Sequence, residues 1–307
     1  MRVVSLLPSA TEIVYALGRQ DDLVGVSHDC DFPAAVEAKP RVTSCELTDT
    51  PLDSAAIDRW VSERLARGEP LFHLNRSRLE SLRPELILTQ SLCQVCAPSA
   101  ERVTEVAAAL PEPPRVLNLE ASTLAGVLDT IEQVAVALGA TRQGGHLIGA
   151  LQQRVAAVVR GVARAERRPR VALLEWLDPV YCAGHWTPEL ITIAGGVSLL
   201  GELGEPSLRL DWQAVREAQP EVLVIACCGQ TAERAARDWI RLAAEEPVRA
   251  LDAVRNEQVY LVDGNAYFNR PGPRLIDSME ILAGILHPEL FPLPGAGKDV
   301  VRANQYN

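Results

Sequence analysis

The stretch Thr141–Glu166, TRQGGHLIGALQQRVAAVVRGVARAE, decides how the chain is organised. Leu147, Leu151, Val155, Val158, Val159 and Val162 recur at steps of three and four, which paints one apolar face on a helix. Thr141 suits the start as a cap. Arg160, Arg164, Arg167 and Arg168 gather near the end, where cations complement the helix dipole. A helix of this length spans roughly 39 Å at ~1.5 Å per residue. Gly144, Gly145, Gly149 and Gly161 oppose it, each costing about 1 kcal/mol relative to Ala. Alternating strand and helix patterns flank the stretch on both sides, so it reads as a beam joining two α/β lobes.

Before the beam, Val3–Leu7 is an apolar strand followed by a helix that begins at Pro8, with Ser9 or Thr11 as cap. A second strand, Asp22–Ser27, runs into HDCDFP. Asp53–Arg67 reads as a helix carrying Ile57, Trp60, Val61 and Leu65, and LFHL as a short strand. Arg76–Leu82 is a helix, Pro84–Gln90 a buried strand, and Pro98–Leu110 a helix. RVLNL is a strand and Ser122–Leu138 a helix. Beyond the beam, the strand Arg170–Trp176 opens into a long loop, LDPVYCAGHW. Helices follow at Thr187–Ala194, Asp211–Ala218, Thr231–Ala244 and Pro271–Leu286, with strands at Pro220–Ala226 and in QVYLVDG. The Gly- and Pro-rich tail from Pro292 is expected to pack loosely. The division that results is an N-terminal α/β lobe over 1–120, connecting helices over 121–168, a C-terminal α/β lobe over 169–292 and a tail over 293–307.

One phrase occurs twice. Arg83-Pro84-Glu85-Leu86-Ile87-Leu88 and Gln219-Pro220-Glu221-Val222-Leu223-Val224 both read polar-Pro-Glu and then apolar strand, and each runs into a cysteine-bearing loop. Lobes of like topology would present these loops at the carboxyl ends of matching strands, where parallel α/β sheets bind ligands, and a cleft between the lobes is expected.

With 307 residues, 48% of them hydrophobic, the chain has enough material for two cores. A net charge of −10 argues against nucleic acid or an anionic membrane as partner. No run reaches the ~18 apolar residues of a membrane span. The opening MRVVSLLPSATE has one Arg, a short apolar run and no small-residue cleavage site, so Val3–Leu6 reads as a strand and not as a leader. Seven scattered cysteines, an odd number, fit free thiols in a reducing compartment. Cytoplasm is the expected location.

Chemistry-bearing residues collect at strand exits. Cys93-Gln94-Val95-Cys96 has a spacing suited to one edge of a metal site or to a thiol–disulfide pair, although a tetrahedral site needs two further ligands. Cys30 with His28, Cys182 with His185, and Cys228 fall at other exits. Cys30, Cys93, Cys96 and Cys228 are the candidate metal ligands, and Cys45 is a weaker one. Trp176, Tyr181, Trp186, Tyr267 and Phe268 offer flat apolar faces with polar tips, as a large planar ligand requires, and some would simply cover loops. Arg270 and Arg274 could reach a carboxylate or cap the sheet. His73, His146 and His287 read as structural, and Trp60, Trp212 and Trp239 as helix packing. There is no GxSxG elbow, Walker loop, GxGxxG after a strand or HExxH, so an enzyme is not expected.

SLLPSATEIVYALG, RPELILTQ, the beam, HWTPELITIAGG and DGNAYFNRPGPRLIDSMEILA together resemble the helical-backbone metal receptors, the substrate-binding proteins that include cobalamin- and ferric-siderophore-binding components of ABC importers. The similarity runs from Arg2 to Leu290. SLLPSATE and GNAYFNRPGPR point to the cobalamin-binding-like branch. The resemblance implies an α/β fold of two Rossmann-like lobes with parallel sheets joined by one long α-helix, the class III periplasmic-binding-protein fold. It implies a ligand held by loops such as Pro8–Ser9 and those around Trp176, Trp186 and Tyr267. Members that dock on a permease present an acidic residue on each lobe. Here Ser77 and Gln213 stand at those places, so docking to an ABC permease is not expected.

The functional expectation is therefore a cytoplasmic cobalamin- or corrinoid-binding protein, with Pro8, Ser9, His28, Trp176, Tyr181, His185, Trp186, Tyr267, Phe268 and Arg270 as ligand contacts. The alternatives are a Cys/His-ligated transition-metal or iron–sulfur protein and a thiol redox sensor using Cys93 and Cys96.

Overall fold

The computed structural model describes residues 1–47, 52–91 and 98–306. Its backbone packing separates two units. The first comprises Met1–Leu52, Ala56–Ala121 and Ala125–Gly149, the second Asp53–Ala55, Ser122–Leu124 and Ala150–Asn307.

In the first unit, β1 (Val3–Ser5) enters α1 (Pro8–Ala16), then β2 (Leu23–Val26) and β3 (Thr43–Ser44). These are followed by α2 (Ser54–Ala66), β4 (His73–Leu74), α3 (Arg76–Leu82), β5 (Leu86–Thr89), α4 (Ala100–Ala108), β6 (Arg115–Asn118) and α5 (Leu124–Ala137). The sheet is parallel with order β2-β1-β5-β6. Val4, Leu6, Ile87, Leu79 and Val103 form its core against α3 and α4. A separate two-residue ladder pairs β3 with β4.

Local chemistry explains the helix ends. Pro8 starts α1, where a missing N–H costs nothing. The capping position falls on Leu7, which supplies no side-chain bond, so Ser9 and Thr11 do not cap and are buried within the helix. Asn75 and Ser99 cap α3 and α4 through the backbone N–H groups of Arg78 and Arg102. Apart from Ser54, α2 fully buries no residue: Ile57, Trp60 and Val61 are half-buried and Leu65 is exposed.

The mid-chain stretch from Thr141 is one helix, α6 (Thr141–Val162), about 33 Å long at ~1.5 Å per residue. It ends a turn earlier than its arginine-rich continuation suggested. Residues 141–149 belong with the first unit and 150–162 with the second. Leu151, Val158 and Val162 are buried as the periodicity requires, but Val159 is 50% exposed. Two of its glycines are places of close approach. A Cβ at Gly144 would lie 2.5 Å from the Ala135 Cβ, and one at Gly161 would lie 2.3 Å from the Phe291 ring.

The second unit holds β7 (Arg170–Leu177), β8 (Val180–Cys182), α7 (Thr187–Ile193), β9 (Val197–Leu199), β10 (Leu208–Leu210) and α8 (Trp212–Glu217). It continues with β11 (Val222–Ile225), α9 (Ala232–Ala243), α10 (Asp252–Arg255), β12 (Val259–Val262), α11 (Leu275–Leu286) and β13 (Val300–Arg302). The sheet order is β10-β8-β7-β11-β12-β13, with β9 also on β7. β9, β7, β11 and β12 run parallel, whereas β8 pairs antiparallel with both β7 and β10 and β13 pairs antiparallel with β12, so this sheet is mixed.

Two expectations are corrected here. LDPVYCAGHW is not an open loop: the chain folds back on β7 and pairs Trp176 with Tyr181. Val180 and Cys182 are buried and Tyr181 faces outward, an alternation too short to see in the sequence. The tail is not loose either. Val300 and Val301 are buried, and β13 pairs with β12 from Tyr260↔Arg302 to Val262↔Val300. Arg154 of α6 fixes this unit's last helix, donating to Glu280 at 2.7 and 2.9 Å and to Asp277.

Candidate functional site

Each unit carries its chemistry at the carboxyl ends of its parallel strands. In the first unit, β1 ends beside Pro8 and Ser9; Pro8 is half-buried and Ser9 only 3% exposed. β2 ends in Ser27, His28, Asp29 and Cys30. His28 takes its position from Thr43: the His28 backbone N–H donates to Thr43 Oγ1 at 2.9 Å, and the ring Nδ1 meets the same oxygen at 2.7 Å. Nε2 lies 3.4 Å from Asp29. Burial holds the His28 pKa below the ordinary imidazole value, and Arg41 adds to this against the pull of Asp29. The ring is therefore neutral near pH 7 and lies 5.6 Å from that of Phe72.

Cys30 is 1% exposed, its thiol sits 3.1 Å from Thr11 Oγ1, and its carbonyl accepts from Arg41. It is a small core residue locking the loop. At the end of β5, Thr89 Oγ1 is buried without a partner, and Asn118 of β6 donates to Ser91 at 2.8 Å.

In the second unit, the β7–β8 turn presents Trp176 and Tyr181 side by side, both half-buried. The Trp176 indole donates to the Ser54 carbonyl at 3.1 Å, and Ser54 in turn donates its N–H and hydroxyl to buried Asp238 on α9. Trp186 and Phe268 do not present ring faces. They are 5% and 2% exposed, and Trp186 Nε1 donates to the Phe268 carbonyl at 2.7 Å, joining two site loops from beneath. Phe268 takes a positive φ of 68° and its N–H donates to Ser278. His185 also has a positive φ, 51°; burial lowers its pKa, and its Nδ1 has no partner.

The β12 exit is the most structured part. Asp263 accepts from the Ala266 N–H at 2.9 Å, and burial raises its pKa. Asn269 donates to the Ala226 and Gly264 carbonyls, and a Cβ at Gly264 would lie 2.2 Å from the Cys227 carbonyl oxygen, so the β11 and β12 exits are in direct contact. Arg270, 7% exposed, donates to Asn265 at 2.9 Å. Both amide atoms of Gln230 are buried and unpartnered beside this loop. Tyr267 is half-buried, with Arg274 5.9 Å from its ring centre.

The metal expectation finds no support among the described residues. Cys93 and Cys96 lie outside the described residues. Among the described residues, no three His, Cys, Asp or Glu side chains are placed to hold a metal ion. Cys30 is walled into the core, and burial raises the thiol pKa of Cys45, Cys182 and Cys227, the opposite of what a thiolate ligand needs. Cys228 is half-buried, and its N–H is held by the Glu175 carbonyl. Thr43 and Gln230 carry no motif or spacing that marks them in the sequence: Thr43 matters through its contact with His28, and Gln230 stands out only by the burial of its unpartnered amide.

Residues 3–266 match the family described as periplasmic binding protein, and the chain belongs to that family. The chain is 25% identical over 291 residues to the vitamin B12-binding protein of Vibrio cholerae, covering 91% of this chain and 86% of that one. It is 22% identical over 299 residues to an uncharacterized ABC transporter substrate-binding lipoprotein of Bacillus subtilis, covering 94% and 81%. A crystal structure of a periplasmic heme-binding protein from Pseudomonas aeruginosa superimposes with a TM-score of 0.73 at 20% identity, covering 95% of this chain and 94% of that one. That likeness establishes the fold, the class III periplasmic-binding-protein fold.

These relatives overturn the cytoplasmic expectation. The family is one of periplasmic binding proteins, and the Bacillus subtilis relative is a lipoprotein. The reasons given against docking on a permease gain nothing from them either, since that relative is named as part of an ABC transporter.

Proposed function

We propose that the chain is the substrate-binding component of an ABC importer, working outside the cytoplasmic membrane, and that it binds a corrinoid. The observation that carries this reading is the match to the Vibrio cholerae vitamin B12-binding protein over nine-tenths of the chain. The site's chemistry agrees with it. Trp176, Tyr181 and Tyr267 are half-buried rings, the first two at the β7–β8 turn and the third in the loop after β12, suited to the apolar faces of a macrocycle. Arg270 offers a buried cation for its polar arms. Binding and release, with no bond made or broken, is the expected action.

A second reading is haem, favoured by His28. Its neutral imidazole, oriented by Thr43, could approach a metal centre through Nε2. For docking, Ser77 and Gln213 are not acidic, but α3 and α8 carry Glu80 and Glu217 one turn on, which a permease arginine could reach. Titrating purified protein with cyanocobalamin and with haemin, read by visible absorption and calorimetry, separates the readings. Saturable one-to-one uptake of cyanocobalamin supports the first. Uptake of haemin alone, lost in His28→Ala, supports the second.

A further inference from the structure

The aromatic loop after β12 is not self-supporting. Its Tyr267 hydroxyl donates to Asp299 Oδ2 at 3.2 Å, a residue 32 positions later in the final segment of the chain. The same residue takes a second hold on the loop, because the Asp263 N–H donates to the Asp299 carbonyl at 2.8 Å. Asp299 is itself fixed from both sides. A turn built on Gly295 and Gly297, both at positive φ, receives the Lys298, Asp299 and Val300 N–H groups on the Gly295 carbonyl. Immediately beyond, β13 is hydrogen-bonded along β12. Within the loop, the Tyr267 N–H donates to the Asp263 carbonyl at 3.0 Å, and Arg274 lies over the ring.

We infer that Asp299 is a positioning residue: the β13 segment clamps the Tyr267 ring in the orientation in which it meets the ligand. The inference rests on the proposed ligand reading, in which Tyr267 is a contact. A rotating phenol loses conformational freedom on binding, whereas one already held loses less, so the clamp contributes to affinity through pre-organisation. The phenol's own titration reports the clamp. Burial, the Asp299 carboxylate and its hydrogen bond push the Tyr267 pKa up to about 12, with Asp277 adding to this and Arg274 opposing it. Lys298, 3.9 Å from Asp299, and Asp263, whose carboxyl pKa Asp299 helps to raise, also face the carboxylate.

The test is a double-mutant cycle on the full chain with cyanocobalamin and haemin as probes. Asp299→Ala should weaken binding of the accepted probe by about tenfold, as loss of one hydrogen bond to a charged group does. Asp299→Asn keeps an acceptor and should stay within about threefold. Tyr267→Phe should lose as much as Asp299→Ala, and the double variant no more than either. In Asp299→Ala and Asp299→Asn the Tyr267 phenolate transition near 295 nm, assigned by its absence in Tyr267→Phe, should move to lower pH. Wild-type affinity in Asp299→Ala, fully additive losses, or an unmoved phenolate transition overturns the inference alone. A wild-type protein that takes up neither probe overturns the ligand reading and this inference with it. Melting temperatures of all variants show whether a loss of binding is a loss of fold; if Asp299→Ala does not fold, Asp299→Asn and Tyr267→Phe carry the phenolate and affinity comparisons.

Discussion

The four glycines of α6 look alike in sequence but should respond in opposite ways to one added methyl. In a helix interior Gly→Ala gains about 1 kcal/mol from backbone entropy alone. At Gly145 and Gly149 the new Cβ meets nothing within 4 Å, so each variant should show that full gain. At Gly144 the methyl would sit 2.5 Å from Ala135 Cβ, well inside ordinary contact, and Ala135 has no rotamer with which to yield. Overpacking costs about 1–3 kcal/mol, and set against the gain of about 1 kcal/mol this leaves Gly144→Ala destabilised by up to about 2 kcal/mol. Gly161 is intermediate. Phe291, against which its methyl would press, is only half-buried and can swing, so the net effect should lie near zero to about 1 kcal/mol unfavourable. Each kcal/mol corresponds to about 2–4 °C in melting temperature for units of this size. Thermal and urea unfolding of the four variants should rank Gly145→Ala and Gly149→Ala above wild type and Gly144→Ala below it. Equal stability of Gly144→Ala and Gly145→Ala would refute the close approach of α5 and α6.

Other expectations follow from single contacts. His28 has a folded pKa below its unfolded one, so its contribution to stability is complete above the unfolded value near 6.5 and is lost as pH falls through the folded value. Unfolding followed between pH 7.5 and pH 5 should therefore be less pH-dependent in His28→Gln; an unchanged slope contradicts the burial of the ring. Removing the Trp176 ring (Trp176→Ala) should weaken cyanocobalamin binding by at least tenfold, about 1.4 kcal/mol, whereas Trp176→Phe, which loses only the bond to Ser54, should retain most of it. Cys30→Ser and Cys228→Ser should leave the spectrum and stoichiometry of the bound ligand unchanged in visible titrations, since among the described residues neither thiol is placed in a metal-binding group. A lost absorption band in either would reinstate a thiolate ligand.

The fold was legible wherever a long period or a repeated phrase announced it. α6 came from its three-four spacing, and the matched Rossmann-like units from the paired Pro-Glu strands, β5 and β11, each placed centrally in its sheet. What escaped was short. β8 and β13 span three residues each, too few for an alternation to rise above chance, and β13 is held by β12, a partner distant in sequence. Site residues divided in the same way. Trp176, Tyr181 and Tyr267 are half-buried at strand exits, whereas Trp186 and Phe268, aromatic like them, are buried, a difference that residue type does not announce. Cysteine position at strand exits suggested metal; the side chains of Cys30, Cys182 and Cys227 turn into the core, where a thiol behaves as a small hydrophobe. Location was misread because composition carries no address, whereas family membership does.

The central claim is that this chain carries a corrinoid, and calorimetric titration of the apo protein with cyanocobalamin tests it most directly. The account predicts a one-to-one complex with a Kd below ~1 µM, accompanied by quenching of tryptophan fluorescence through Trp176. No heat and no quenching up to ~100 µM cyanocobalamin would contradict it.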